Sequence, residues 1–178
     1  VSHLLLYAGL NPTTAVGGII KGDSYNANLG RGEYFVAEVD ESDGSFLYFA
    51  PQYSIITNID FEHLDFYHTW DNIVKAYEKF VGCTQPDGLL IGCGDDTRLK
   101  EILLKSQREY LTYGFSPVND LHTETMRFVN NEECFWEFDC LFKNIKLPRF
   151  QLTIPGQHNI LNAMACITLG LQLSIDPE

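Results

Sequence analysis

An α/β domain, with a mostly parallel sheet flanked by helices and a small antiparallel β-meander, is what three features of this 178-residue chain predict. Short apolar runs of strand length alternate with amphipathic helical stretches, the order that builds a parallel sheet covered on its faces. From residue 121 to residue 154 the pattern changes to a period of two, the signature of half-buried strands. Two of the earlier apolar runs break into carboxylates at their carboxyl ends, where an open α/β sheet has its crevice.

The elements follow in order. Residues 2–8 (SHLLLYA) read as the last turns of a helix ending at Gly9, stopped by the Asn11-Pro12 step. Residues 13–16 are a β-prone run broken by Gly17-Gly18, and residues 26–31 carry turn signals ahead of a strand at 33–39. A second strand is predicted at 53–58. The helix at 70–81 has Ile73, Val74, Tyr77, Phe80 and Val81 on one face and Thr69 or Asp71 near its N-cap. Residues 88–92 (GLLIG) read as a third strand, 96–104 as a helix and 110–113 as a fourth strand. Three alternating runs then form the meander. They hold Met126 and Phe128; Cys134, Trp136, Phe138 and Cys140; and Ile145, Leu147, Phe150, Leu152 and Ile154. Their separators are Asn130-Asn131 and Lys143-Asn144. Behind the turn Pro155-Gly156, residues 159–173 form an apolar helix, and a short tail closes the sequence.

Composition bounds the partners. The chain is long enough to bury a core without disulfide staples, and its net charge of −12 is spread along it. This argues against nucleic acid or a membrane surface as the main partner. An anionic substrate would need local help. Five cysteines, an odd number without a C-x-x-C pair, suggest neither a zinc site nor a disulfide framework, so a reducing cytoplasm is expected. No stretch approaches the ~20 apolar residues of a membrane span.

The chemistry concentrates at two neighbouring strand ends. In VAEVDESDGSFL (36–47), Glu38, Asp40, Glu41 and Asp43 crowd together, and their mutual repulsion would be relieved by a hard cation such as Mg²⁺. The alternative is a solvated loop in which Ser42 and Asp43 cap a short helix through Gly44 to Leu47. In SIITNIDFEHLDFY (54–67), Asp60, Glu62, His63 and Asp65 add oxygens and an imidazole, and together the two segments favour a divalent metal site. His3, His68 and His122 lack such a setting. IGCGDD (91–96) lacks the third glycine of a dinucleotide fingerprint and reads as a strand-to-helix turn with Asp95 or Asp96 as N-cap. In PGQHNILN (155–162), Gln157, His158, Asn159 and Asn162 sit at a helix start, where either capping or contact with a ligand is open.

Four segments in this order, AEVDESDGSFL, TNIDFEHLDFY, YGF at 113–115 and PGQHNILNAMA, resemble the central, ATP-binding domain of the Mur ligases, a P-loop NTPase-like fold, over residues 4–173. Within that family they are most similar to its alanine-adding members. The resemblance implies an ADP-forming ligase that uses ATP and Mg²⁺ to join L-alanine to UDP-N-acetylmuramate through an acyl phosphate. It implies Glu38 and His63 as catalytic metal ligands, with Asp40, Glu41 and Asp43 supporting them. Asn162, Asn159 and His158 correspond to positions that contact the adenine nucleotide. Several relatives carry a carbamylated lysine near the position of Tyr77, which alanine-adding members generally lack.

Rival readings are a murein tripeptide ligase, a folylpolyglutamate-synthetase-like enzyme, or a non-catalytic metal-binding or interaction module. Residues 1–178 are expected to be a fragment without the phosphate loop and without the N- and C-terminal domains, inactive alone. A G-x-x-G-K-T sequence is expected within about ten residues before Val1 in the full gene, where its backbone N–H groups would cradle phosphates. Reading the upstream sequence checks this.

Overall fold

The computed structural model describes residues 1–19, 25–130 and 134–177. It falls into two compact units, Val1–Tyr48 and Phe49–Glu178. In the first, α1 (Ser2–Tyr7) leads to a three-stranded sheet centred on β1 (Thr13–Ala15). β1 pairs antiparallel with β2 (Ala27–Asn28) and parallel with β3 (Phe35–Ala37). β2 lies where only turn signals were read, since two residues are too few to show an alternation. A 3-10 turn at Ser45–Tyr48 closes the unit.

The second unit contains β4 (Tyr53–Ile56), α2 (Leu64–Tyr67), α3 (Trp70–Cys83), β5 (Leu89–Cys93), α4 (Thr97–Lys105), β6 (Tyr110–Gly114), β7 (Leu121–Val129), β8 (Phe135–Phe142), β9 (Ile145–Lys146), β10 (Phe150–Leu152) and α5 (Gln157–Gln172). Its seven-stranded sheet runs β10-β8-β7-β6-β5-β4, with β9 also on β8. β4 to β7 are parallel, and β8, β9 and β10 extend the sheet antiparallel. The predicted helices and strands are all present to within a few residues. One expectation fails: the strands before the two acidic segments are not sheet neighbours. β3 pairs with β1 and β4 with β5, because alternation reveals that a strand exists and not which strand it joins.

Both faces of the parallel sheet are covered. β5 is buried at every position, as its unbroken apolar run requires. A side chain at Gly92 would lie 2.6 Å from Leu103 Cδ1 of α4, so α4 packs directly on that face. α5 lies across β5, β6 and β7, and its Ile160, Met164, Ala165 and Leu169 are buried. Thr69 caps α3, its hydroxyl accepting the Asn72 N–H at 3.3 Å. The face of α3 buries Ile73, Ala76, Tyr77, Phe80 and Val81. Each such side chain contributes roughly 1.5–3 kcal/mol of transfer free energy when large and fully buried. Among the described residues no helix is long and apolar enough to cross a membrane.

The third alternating run divides in two. Ile145 and Leu147 share one parity and Phe150 and Leu152 the other, and the register on β8 shifts by one residue between β9 and β10. Pro148 lies at the shift, where a residue without an N–H cannot extend the ladder. Asn131, in the first separator, and Glu178, at the end of the tail, lie outside the described residues.

An ionic network joins β7, β8 and Arg149, which stands just before β10. Asp139, 4% exposed, accepts the Arg149 Nε and Nη2 hydrogens at 2.8 and 2.9 Å and the Thr125 hydroxyl at 2.8 Å. Glu137 pairs with Arg127 at 2.6 Å. The Arg149 and Thr125 hydrogen bonds hold the Asp139 carboxyl far below the usual carboxylate range. Its folded form therefore binds a proton less readily than the unfolded chain, so its contribution is present above a pH of about 4 and lost as the pH falls further. Asp139→Asn should lower the urea midpoint at pH 7. It should also make that midpoint fall less than the wild type's between pH 7 and pH 3, as denaturation monitored by tryptophan fluorescence would show.

Candidate functional site

The polar segments of the second unit gather where β4, β5 and β6 end. The connection after β5 is the shortest, and its two aspartates hold the other two. Asp96 Oδ1 accepts the N–H groups of Arg98 and Leu99, each at 2.9 Å, and so caps α4. Its Oδ2 accepts the Ile59 N–H of the segment after β4 at 2.9 Å. Asp95 turns toward β6: Oδ2 accepts the Phe115 N–H at 2.6 Å, and Oδ1 accepts the Ser116 N–H and Asn119 Nδ2 at 3.1 and 2.9 Å. Of the two candidates for the N-cap, Asp96 fills the role. The long-range task of Asp95 has no local signature.

Two glycines make this packing possible. A Cβ on Gly94 would stand 2.0 Å from Asn119 Oδ1, and one on Gly114 would stand 2.5 Å from both Asp95 Cγ and Asn119 Nδ2. Asn119 is itself buried, and among the described residues neither its Oδ1 nor the hydroxyl of the buried Tyr113 in β6 has a hydrogen-bond partner. Burial raises the Tyr113 phenol well above its usual range. G-x-G in IGCGDD thus serves close backbone packing.

His63 is the N-cap of α2 in a left-handed conformation, φ 54° and ψ 38°. Its carbonyl accepts the N–H groups of Phe66 and Tyr67 at 3.0 Å. The ring is 34% exposed, with Nε2 4.0 Å from Glu62 Oε2. Such a backbone costs a non-glycine residue of order 1 kcal/mol or more, and it persists only where the surroundings enforce it. Within the preceding segment the Thr57 hydroxyl donates to Asn58 Oδ1 at 3.0 Å, and Asn58 Nδ2 donates to Asp60. The Phe61 ring packs on Trp70 at 5.6 Å, and Arg98 of α4 lies over the other partner of that stack, 4.3 Å from the Trp70 ring centre.

Glu38 belongs to the first unit. It is exposed just beyond β3, and its Oε2 accepts the Gly17 N–H at 2.8 Å. The neighbouring carboxylates organise their own loop. Asp40 accepts the Ser42 N–H at 3.0 Å. Asp43 accepts the Ser45 N–H at 2.8 Å, which starts the 3-10 turn, and hydrogen bonds from the Ser45 side chain and then its backbone lower the Asp43 pKa. The capping alternative therefore holds for Asp43, whereas Ser42 gives its hydrogens to Asp40. Among the described residues no three His, Cys, Asp or Glu side chains cluster closely enough to hold a metal.

At the start of α5 the N-cap is Gly156, φ 100°, without a capping side chain. Asn159 donates instead to the Pro155 carbonyl at 2.6 Å and lies 3.1 Å from His158 Nε2. Asn162, one turn on, is exposed. Capping by these polar side chains is thus not what the helix start uses them for.

A parallel sheet with its polar loops tied together at the carboxyl ends defines an α/β domain of the kind that takes ligands beyond those ends. Residues 23–170 match the model of the Mur ligase middle domain, and the chain belongs to the Mur ligase family. It is 38% identical over 173 residues to the UDP-N-acetylmuramate–L-alanine ligase of Lawsonia intracellularis, covering 96% of this chain and 37% of that protein. It is 41% identical over 165 residues to the ligase of the same name from Carboxydothermus hydrogenoformans, covering 93% and 35%. The chain thus spans a little over a third of the length of these relatives. The crystal structure of the UDP-N-acetylmuramate-alanine ligase of Thermotoga maritima superposes with a TM-score of 0.81 at 28% identity, covering 97% of this chain and 37% of that one. A Neisseria ligase named for the tripeptide L-alanyl-γ-D-glutamyl-meso-diaminopimelate shares the fold, with a TM-score of 0.83 at 22% identity over 99% of this chain and 57% of that one.

The Gly114 contact is open to test. Gly114→Ala should destabilise the second unit by about 1–3 kcal/mol, the usual cost of overpacking, measured by chemical denaturation. A stability within 0.5 kcal/mol of the wild type, the range of a neutral surface change, would contradict the tight packing of Asp95 and Asn119 on it.

Proposed function

We propose that the full polypeptide carrying this chain is an ATP-dependent, ADP-forming ligase of peptidoglycan precursor synthesis in the bacterial cytoplasm, joining L-alanine to UDP-N-acetylmuramate. The observation that carries this reading is the identity of 38–41% to ligases of that name across nearly the whole chain. A solved Mur ligase relative of the same fold was crystallised with ADP, which supports a nucleotide as the ligand. N- and C-terminal domains would complete the enzyme.

The donor chemistry suits Mg·ATP. Glu38 offers a hard carboxylate oxygen, with Oε2 already oriented by the Gly17 N–H, and His63 offers an imidazole nitrogen on a fixed backbone. Mg²⁺ is commonly held by one or two carboxylates and completes its shell with water and phosphate oxygens, a need that Glu38 would meet, whereas His63 would add a nitrogen donor of a kind that Mg²⁺ takes less readily than oxygen. The ion would supply charge neutralisation at the phosphates. In this reading Glu38 and His63 hold and orient it, while Asn162, Asn159 and His158 lie against the adenine nucleotide at the start of α5. The muramate carboxylate would take the γ-phosphoryl group of ATP, giving an acyl phosphate and ADP, and the alanine amine would then attack the acyl carbon and expel inorganic phosphate to form the amide.

In the complete protein, ADP release with UDP-N-acetylmuramate should require L-alanine; release that responds instead to the free tripeptide would replace this substrate assignment. Glu38→Gln and His63→Ala should each lower kcat on the order of a hundredfold, because metal stabilisation of transferred charge accounts for several kcal/mol of barrier. Asn162→Ala should mainly raise the KM for ATP. An unchanged kcat in the Glu38 and His63 variants would remove them from the reaction.

A further inference from the structure

From the two separate tasks of its carboxylate oxygens we infer that Asp96 is a positioning residue for His63, acting through the backbone of Ile59. The inference rests on the proposed role of His63 for its link to the reaction, and on geometry alone for its structural part. Oδ1 is spent on the first turn of α4, accepting the Arg98 and Leu99 N–H groups. Oδ2 has nothing to do with that helix: it reaches across 37 positions of sequence to the Ile59 N–H at 2.9 Å.

Ile59 is 4% exposed, so its N–H has little access to water, and leaving it unpaired would be costly. Four residues later comes His63, whose left-handed backbone needs its entry fixed. The segment between them is held a second time, by Phe61 on the Trp70 ring that Arg98 covers from α4. One attachment is to the residue that caps α4, and the other is to Trp70 at the start of α3, over which Arg98 of α4 lies. Residues 59–63 are thus tied to the starts of two helices beyond the strand from which they emerge.

The residue type separates the two tasks. Aspartate has two acceptor oxygens; serine and asparagine each cap a helix about as well but offer one. Asp96→Ser keeps the cap and drops the Ile59 tie, Asp96→Asn keeps the cap and turns an N–H₂ group toward the Ile59 N–H, and Asp96→Ala loses both. Hydrogen exchange by mass spectrometry on the full polypeptide reads them out. With Asp96→Ser and Asp96→Asn, exchange over residues 57–63 should rise about tenfold or more while α4 stays within about twofold of wild type, as expected when one local bond opens without the helix. Asp96→Ala should raise both regions.

Alongside, alanine-dependent ADP release should lose about tenfold to a hundredfold in kcat for Asp96→Ser, the scale of an ångström-sized misplacement, with the KM for ATP within about threefold. Unchanged exchange over 57–63 in both capping variants would overturn the inference. Raised exchange with wild-type kcat would overturn its connection to the reaction. A wild-type protein without alanine-dependent ADP release would overturn the proposed activity instead, and the exchange result alone would then decide whether Asp96 places the His63 segment.

Discussion

The carboxyl end of the parallel sheet depends on a pair of adjacent carboxylates facing opposite ways. Asp95 and Asp96 each accept three hydrogen bonds, and a bond to a charged acceptor adds a net of at most about 1.5–3 kcal/mol, less where solvent reaches it as at the exposed Asp95. The two lie in the tight turn that closes with the Asp96 N–H on the Cys93 carbonyl at 3.2 Å, and there one aspartate serves the segment after β4 and the other the segment after β6. The short β5 connection thereby becomes the fixed point to which two longer connections are referred. Each segment has a further tie, Asp120 accepting the Thr112 N–H of β6 at 2.8 Å and the Phe61 ring on Trp70 of α3.

The antiparallel half is held by different means. There, acceptors and guanidinium groups meet within the ladder itself, with Asp139 satisfied by Arg149 and Thr125 and Glu137 by Arg127. β7 belongs to both halves, parallel to β6 and antiparallel to β8. Its register break between Thr123 and Thr125 comes just where the sheet changes from one pairing to the other, as bulges commonly do where a strand must bend or twist.

Much of this was legible in the residues because the signals are local. Apolar spacing gave α3, Thr69 and Asp96 marked helix starts, and the five-residue run at β5 announced burial on both faces. The parity change between Leu147 and Phe150 was visible too, although reading it as a break required Pro148 to be weighed against the alternation. What escaped was long-range: the partner of β3, the two-residue β2, and the reach of Asp95 to residues 115–119. A carboxylate beside a helix start looks like a cap, and nothing in its neighbours reveals that its donors lie twenty positions away. For the proposed site, motif order points to Glu38, His63 and the start of α5, while the tie of Asp96 to Ile59 and the contact of Phe61 with Trp70 under Arg98, which hold the segment before His63, follow no pattern readable along the chain.

The buried thiols extend this contrast between the two halves. Cys93 sits in β5 and Cys140 in β8, 4% and 0% exposed, and burial raises both above the usual thiol range, Cys140 to about 12. A thiol reagent attacks the thiolate, and only when it has access. Each cysteine is therefore protected until its own half of the sheet opens. Alkylation kinetics at the two positions would time the loosening of the parallel and antiparallel halves separately, so the domain carries a native pair of chemical reporters on whether it unfolds as one body or in two stages.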